Sequence, residues 1–375
     1  MPKLLIATTV AATLRAFLLP YARHFRKRGW TVDALSNGAS ACRECRESFD
    51  ACHDLPFNRN PLDYKNFGKT GESIRGIAAA GQYDIIHVHT PVASFVTRFA
   101  LGKIPGAKRP KVVYTAHGFH FHKGGKYLKN ALFAALERRA GRWTDHTITI
   151  NREDYEAAIA LKIAPRERLS LFPGIGLDFS RYSPSSVKLS EIKELHSSLM
   201  LDRNDELFLM AAEFNPGKRH KDALRALAMT SRKNFHLALA GKGPLENEMK
   251  RLALTLGIGA RVHFLGERAD VPLLMLSSRA TVLPSEREGL NRSVMESICL
   301  GIPVLGADAR GIRDLVTTPE RGMLFPVGNP AALAAAMILS VDEPCETGTK
   351  PLPDPLWNIE HLLSEHEKLY RGLLA

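Results

Sequence analysis

Two glutamates, Glu288 and Glu296, flank the short segment Gly289-Leu290-Asn291 in Leu283-Pro284-Ser285-Glu286-Arg287-Glu288-Gly289-Leu290-Asn291-Arg292-Ser293-Val294-Met295-Glu296. An apolar run ends and a helical pattern begins here, so Glu288 falls in the turn and Glu296 about two turns into the helix. Carboxylates so placed can contact separate parts of one elongated ligand, and they accept well from sugar and ribose hydroxyls. Gly289 lets the backbone approach that ligand closely. The free amides of a helix start suit a diphosphate. A glutamate beside a helix start followed by a helical glutamate is also a common local device, so the segment alone leaves both readings open.

Five histidines, His87, His89, His117, His120 and His122, fall at or just after strand-like runs. The spacing of His117, His120 and His122 permits a metal reading, but no acidic residue accompanies them. Cys42, Cys45 and Cys52 with His53 resemble a zinc set only superficially, because neighbours in sequence rarely both reach one tetrahedral ion. Reduced thiols in a loop are the expectation there, and Cys299, inside an apolar helical run, is expected in the core.

The elements that position these groups alternate between short apolar strands and longer amphipathic helices, the pattern of a parallel sheet covered by helices. Lys3–Thr8, Thr31–Leu35, Ile85–His89, Lys111–Thr115 and His146–Ile150 read as strands of a first series, with helices over about residues 14–28 and 130–142. A turn-rich piece around Phe172-Pro173-Gly174-Ile175-Gly176 marks a boundary. A second series follows: Glu206–Ala212, His236–Ala240, Val262–Leu265, Ala280–Leu283 and Val304–Gly306. The expected organisation is two Rossmann-like domains, 1–180 and 181–355, and a closing helix, 356–375, that packs back on the first; Asp342–Pro355 is an exposed link. Two such sheets place their carboxyl ends around a shared cleft, where ligands of these folds bind.

The 375 residues carry 51 Lys and Arg against 39 Asp and Glu, a net charge of +12. The basic residues concentrate in the first half, among them Arg23, Arg26, Lys27, Arg28, Lys123, Lys126, Lys129, Arg138, Arg139 and Arg142, interleaved with apolar residues at helical spacing. Such a face suits an anionic bilayer or a lipid diphosphate, or is a solvated helix face. Nucleic acid is not expected, since no reading motif accompanies the charge. The opening Met1-Pro2-Lys3 and its short apolar run do not form a secretion signal, and no run is long enough to span a bilayer, so a cytoplasmic protein is expected.

The Glu288 segment, followed by Gly301-Ile302-Pro303-Val304, resembles the signature of glycosyltransferase family 4, retaining enzymes of the GT-B fold. Gly241-Lys242-Gly243-Pro244 resembles the family's glycine-rich turn, with Lys242 where an acidic residue is usual. Arg261–Gly266 and Asp270–Leu274 resemble the strand and helix start that follow. In Ala212–Lys221, Lys218 matches the family lysine that neutralises the leaving diphosphate. Glu213 stands where the family carries an arginine, leaving Arg219 or Lys221 to supply that charge. Tyr83–Pro91 and Tyr114–His122 are similar to a branch that builds capsules, exopolysaccharides and lipid-linked glycans, as are Arg310-Gly311-Ile312-Arg313-Asp314 and the helix from Asn358 to Tyr370. His117 matches the family histidine near the donor sugar. Ala11-Ala12 replaces a common Gly-Gly pair, and Arg15 beside it either meets an acceptor phosphate or is solvated.

The resemblance implies transfer of a hexose or N-acetylhexosamine from a nucleoside diphosphate sugar, most simply a UDP-sugar, without cofactor or bound metal. His117, Glu288 and Lys218 are then the catalytic set. Glu213, Lys218, Arg219, Gly241, Gly243, Glu288, Gly289, Leu290, Asn291 and Glu296 line the donor side, Glu288 on the sugar hydroxyls and Glu296 on the ribose. Arg15, His89, His120 and His122 lie toward a lipid-linked or glycan acceptor at the inner membrane face. A sugar-nucleotide 2-epimerase of the same architecture and a non-catalytic subunit of a glycan-assembly complex are the competing readings.

Overall fold

The computed structural model describes residues 1–57, 68–106, 109–343 and 353–375. Of the link expected over Asp342–Pro355, residues 344–352 lie outside the described residues. The described chain divides into two compact units, Met1–Ile175 with Glu360–Ala375, and Gly176–Ile359.

In the first unit the elements run β1 (Lys3–Val10), α1 (Ala11–Thr13), a π turn (Leu14–Leu18), α2 (Leu19–Lys27), β2 (Thr31–Asn37), α3 (Arg43–Ser48), β3 (Cys52–Asp54), α4 (Lys69–Gly81) and β4 (Ile85–His89). α5 (Pro91–Leu101), β5 (Lys111–Ala116), α6 (Tyr127–Gly141), β6 (His146–Thr149), α7 (Arg152–Ala160) and β7 (Leu169–Leu171) follow. The sheet order is β3-β2-β1-β4-β5-β6-β7, parallel throughout. Leu4, Leu5, Ile6 and Ala7 of β1 are all fully buried, as a central strand with helices on both faces requires.

The first helix departs from expectation. It starts at Ala11 and passes through the π turn just before Pro20, whose ring lacks an N–H and clashes with the preceding turn of a regular helix. The cysteine segment is not a loop: Cys42 Sγ accepts from the Cys45 amide at 3.3 Å and caps α3, and Cys52 opens β3. Cys42, Cys45, Cys52 and Cys299 are free thiols, and among the described residues no group of three His, Cys, Asp or Glu could hold a metal ion.

α6 is anchored through one charged contact. Arg98 of α5, fully buried, donates from Nη2 to Glu137 Oε2 at 2.9 Å and lies 3.9 Å over the Tyr114 ring, while Tyr114 Oη donates to Glu137 Oε1 at 3.2 Å.

In the second unit α8 (Leu189–Ser198), β8 (Glu206–Ala211), α9 (His220–Met229), β9 (Phe235–Ala240), α10 (Glu246–Thr255), β10 (Val262–Gly266), α11 (Val271–Leu276), β11 (Ala280–Leu283), α12 (Arg292–Cys299), β12 (Val304–Ala307), β13 (Gly322–Phe325) and α13 (Pro330–Asp342) form a parallel sheet of order β10-β9-β8-β11-β12-β13. β3, β7 and β13 were not anticipated, being too short to show a pattern.

The last helix, α14 (Ile359–Leu374), belongs to the first unit from Glu360 onward. Its buried stripe of Leu362, Leu363, His366 and Tyr370 packs there, with the His366 ring edge-on to Tyr21 and Phe172, each 4.9 Å away. No helix among the described residues is long and apolar enough to cross a membrane.

Candidate functional site

In the second unit the turn after β11 carries Glu288. Lys218 closes a one-turn helix after β8, capped by Asn215, whose Oδ1 accepts from the Lys218 amide at 3.2 Å. The two side chains meet: Lys218 Nζ donates to Glu288 Oε1 at 2.6 Å, with 23% and 11% of each side chain exposed. The Glu286 amide also donates to Gly217 O, so the two loops are tied by backbone as well. Sequence separates these residues by seventy positions; adjacency of β8 and β11 in the sheet brings them together.

The Glu288 loop is held from beneath by the segment after β12. Arg310, largely buried, donates from Nε to Glu288 O at 3.0 Å, and the Glu288 amide donates to Arg310 O at 3.2 Å. Gly311 sits at φ +77°, and a Cβ there would lie 2.1 Å from Gly289 O, so the two backbones touch. Asn291 caps α12 by accepting from the Val294 amide at 3.0 Å. That bond satisfies one of the amides that a helix start leaves open.

Glu296 lies deeper. It is 7% exposed, accepts from Arg292 Nε at 2.8 Å and bonds the Tyr182 hydroxyl. Burial raises its pKa against the opposing pull of Arg292 and Tyr182. Tyr182 and the buttressing role of Arg310 escaped the sequence reading. Tyr182 lies in a turn-rich segment that shows no periodicity, whereas a charged residue directly after a strand end was a usable signal for Arg310.

The glycine-rich turn after β9 is built on close contact. Gly241 has φ +154° with room for no Cβ, which would lie 2.1 Å from Ala212 O, and a Cβ on Gly243 would lie 2.5 Å from Phe214 O. This turn therefore nests on the Ala212–Phe214 segment that leads to Lys218. Leu290 is half-buried against the core of this unit. The other candidate cations stand apart from the pair. Arg219 donates to Asp222 Oδ2 at 2.5 Å, Lys221 is exposed, and Lys242 lies on the surface 3.9 Å from Glu267. Glu213 is exposed and accepts from Asn215 Nδ2 at 3.0 Å.

In the first unit, His89 at the end of β4 and His117 just after β5 share a hydrogen bond, Nδ1 to Nε2, at 3.0 Å. Burial lowers the pKa of His117 to about 4 and that of His89 well below the usual histidine value. Both rings are therefore neutral at pH 7. His120 and His122 turn toward α6: the His120 ring lies 4.9 Å from Phe133, and His122 Nδ1 donates to Lys123 O at 2.8 Å. Arg15 is exposed in the π turn.

A pair of parallel α/β units, one carrying a lysine–carboxylate loop above its sheet, is the build of the GT-B class of glycosyltransferases. Residues 17–175 match the model described as Glycosyltransferase Family 4, and residues 191–350 the model described as Glycosyl transferases group 1. The putative glycosyltransferase EpsD of Bacillus subtilis is 34% identical, over 88% of this chain and 85% of its own. The chain belongs to glycosyltransferase family 4. An Escherichia coli enzyme named as a UDP-Gal:alpha-D-GlcNAc-diphosphoundecaprenol alpha-1,3-galactosyltransferase is 27% identical over 70% of this chain and 67% of its own. Among solved structures, Anabaena HepE in complex with UDP has the same fold, with a TM-score of 0.79 at 19% identity, covering 99% of this chain and 100% of its own.

Proposed function

We propose that the protein transfers a hexose or N-acetylhexosamine from a UDP-sugar, with retention, to a lipid-linked or glycan acceptor in cell-surface polysaccharide synthesis. The Lys218–Glu288 pair carries the reading. Without ligand, the cation and the carboxylate neutralise each other. An incoming diphosphate takes over Lys218, and Glu288 is released to accept hydroxyls of the donor sugar. Glu296 binds the ribose. Amides around Gly289, Leu290 and Asn291 bind the diphosphate, and Arg219 lies within the same loop.

In the step itself the bond from the anomeric carbon to the diphosphate oxygen breaks, and the acceptor oxygen bonds to that carbon on the face being vacated. The acceptor's proton passes to the departing phosphate oxygen. Negative charge grows on the diphosphate as it leaves, and a fixed ammonium in a water-poor site stabilises it. The reading assigns no metal or cofactor to the step. His117 donates a hydrogen bond to a hydroxyl of the donor sugar, while His89, His120, His122 and Arg15 belong to the acceptor side.

The acceptor assignment draws on the relative named for a diphosphoundecaprenol substrate and on the outer face of α6. Tyr127, Leu128 and Leu132 there are 83%, 82% and 46% exposed, beside exposed Lys123, Lys126, Lys129, Arg138 and Arg139. A groove of about 540 Å³ between α6 and α7 adjoins them, lined by Phe121, Tyr127, Ala131, Ala134, Ala157 and Leu161. An apolar stripe with cations around it suits a bilayer of anionic lipid, which supports the reading of a protein peripheral to the inner face of the membrane.

The test is Glu288→Ala assayed with UDP-sugars and a diphospholipid-linked acceptor. Transfer should be lost with the thermal transition retained, and full transfer would refute the role. Donor alone should yield no 2-epimer; its appearance would point to epimerase chemistry.

A further inference from the structure

His89 is more than a second histidine on the acceptor side. It is buried, with its ring 4.0 Å from His87, whose own nitrogens are both taken, Nδ1 by Tyr370 Oη and Nε2 by Thr115 Oγ1 at 2.8 Å. His366 follows in the same row, 5.8 Å from His87, with Nδ1 donating to Leu362 O. The charges that act on His87 and His89 come from other histidines, so neither ring has a carboxylate to stabilise its imidazolium form.

The backbone just after His89 is strained. Thr90, a β-branched residue, sits at φ +62°, held by a hydrogen bond from its Oγ1 to His89 O at 2.5 Å and one from the Thr9 amide to the same Oγ1 at 3.0 Å. Such a conformation is strained for a β-branched residue and persists only where the surrounding structure over-determines it.

The bond between the two rings constrains their protons. Both rings are neutral, each carrying one N–H, and the shared contact joins Nδ1 of His89 to Nε2 of His117. If His117 Nε2–H donates, then His89 must carry its proton on Nε2. If His89 Nδ1–H donates, then His117 must carry its own on Nδ1. The rings therefore adopt the same tautomer in either case. His89 Nε2 is buried without a partner among the described residues. An orphaned buried N–H is the costlier state, so the proton belongs on Nδ1 of both rings.

We propose that His89 is a positioning residue for His117, locking it as the neutral Nδ1–H tautomer so that it offers a hydrogen-bond donor, and no charge, to a hydroxyl of the bound sugar. This rests on the reading of His117 as a sugar contact. The transition state of glycosyl transfer has oxocarbenium character, with positive charge growing on the sugar ring. A neutral donor holds the hydroxyl without opposing that charge, whereas an imidazolium repels it. No described residue bonds His117 Nδ1, which leaves that proton for a ligand.

Long-range proton–nitrogen correlation on the 15N-labelled whole chain reads the tautomers directly. His89 and His117 should both be neutral and Nδ1–H at pH 7. Opposite tautomers, Nε2–H on both, or an imidazolium at pH 7 would overturn the proposal. His89→Phe keeps the ring volume and removes the nitrogens. It should release His117 into its Nε2–H form and lower kcat about tenfold, the worth of one hydrogen bond, with donor KM changed less. His89→Asn, whose amide can donate where Nδ1–H did, should restore both the tautomer and most of kcat. Normal transfer in His89→Phe with His117→Phe inactive would refute the positioning role alone. Normal transfer in His117→Phe would refute the role of His117 on which it rests.

Discussion

Replacing Lys218 by methionine keeps the aliphatic stem and removes the ammonium that donates to the Glu288 carboxylate. At 2.6 Å and an effective dielectric of about 20 the gross attraction is about 6 kcal/mol, most of it offset by desolvation of the two groups. Hydrogen bonds to charged groups net about 1.5–3 kcal/mol. The substitution should therefore cost the fold about 2 kcal/mol, a fall of roughly 4–8 °C in the melting temperature of a unit of this size. Its effect on catalysis is separate and larger. Loss of a fixed charge from a developing oxyanion costs about 2.7–4 kcal/mol, or 10²- to 10³-fold in kcat. Steady-state transfer with a UDP-sugar, measured well below the melting transition, separates the two. The double variant Lys218→Met with Glu288→Gln supplies a further check, since it leaves no unpaired charge and should be more stable than Lys218→Met alone. A kcat within threefold of the parent, or stability losses that simply add, would refute the reasoning.

Gly241→Ala places a Cβ 2.1 Å from Ala212 O at a backbone conformation that disfavours side chains. It should lower stability by about 1–3 kcal/mol and abolish the thermal stabilisation given by UDP, read by differential scanning fluorimetry. In acid the first unit should unfold early, because burial holds His87, His89, His117, His146 and His366 below their ordinary pKa, three of them at about 4. The unfolded chain binds these protons from pH 6.5 downward and the folded one does not, so stability falls as pH drops toward 4, by up to about 1.4 kcal/mol per pH unit for each histidine. Circular dichroism across pH 7 to 4 checks this, and a flat stability over that range would contradict it. Leu128→Ser with Leu132→Ser should release the protein from vesicles containing phosphatidylglycerol while leaving UDP binding unchanged; equal co-sedimentation of parent and variant would remove α6 from the membrane reading.

The strand–helix alternation, the Glu288 segment and the glycine turn were legible in the sequence because each is local. Apolar runs have a period, a cap has a residue type, and a motif keeps its spacing wherever the chain goes. The closing helix was visible for the same reason, through the stripe Leu362, Leu363, His366 and Tyr370. Short strands such as β3 and β7 left no trace, since three residues cannot show an alternation and their pairing is set by the neighbouring strand.

What only the tertiary structure decided is which of these local pieces touch. Composition offered four cations near the phosphate loop, and the sheet order chose Lys218 for Glu288 while Arg219 went to Asp222. Five histidines looked equivalent by position, yet strand register set His89 on His117 and left His120 and His122 beside α6. Arg310 and Tyr182 joined Glu288 and Glu296 from distant parts of the chain. Contacts of that kind depend on how strands are ordered in a sheet and how deeply a side chain is buried, and neither quantity is written in the spacing of residues along the chain.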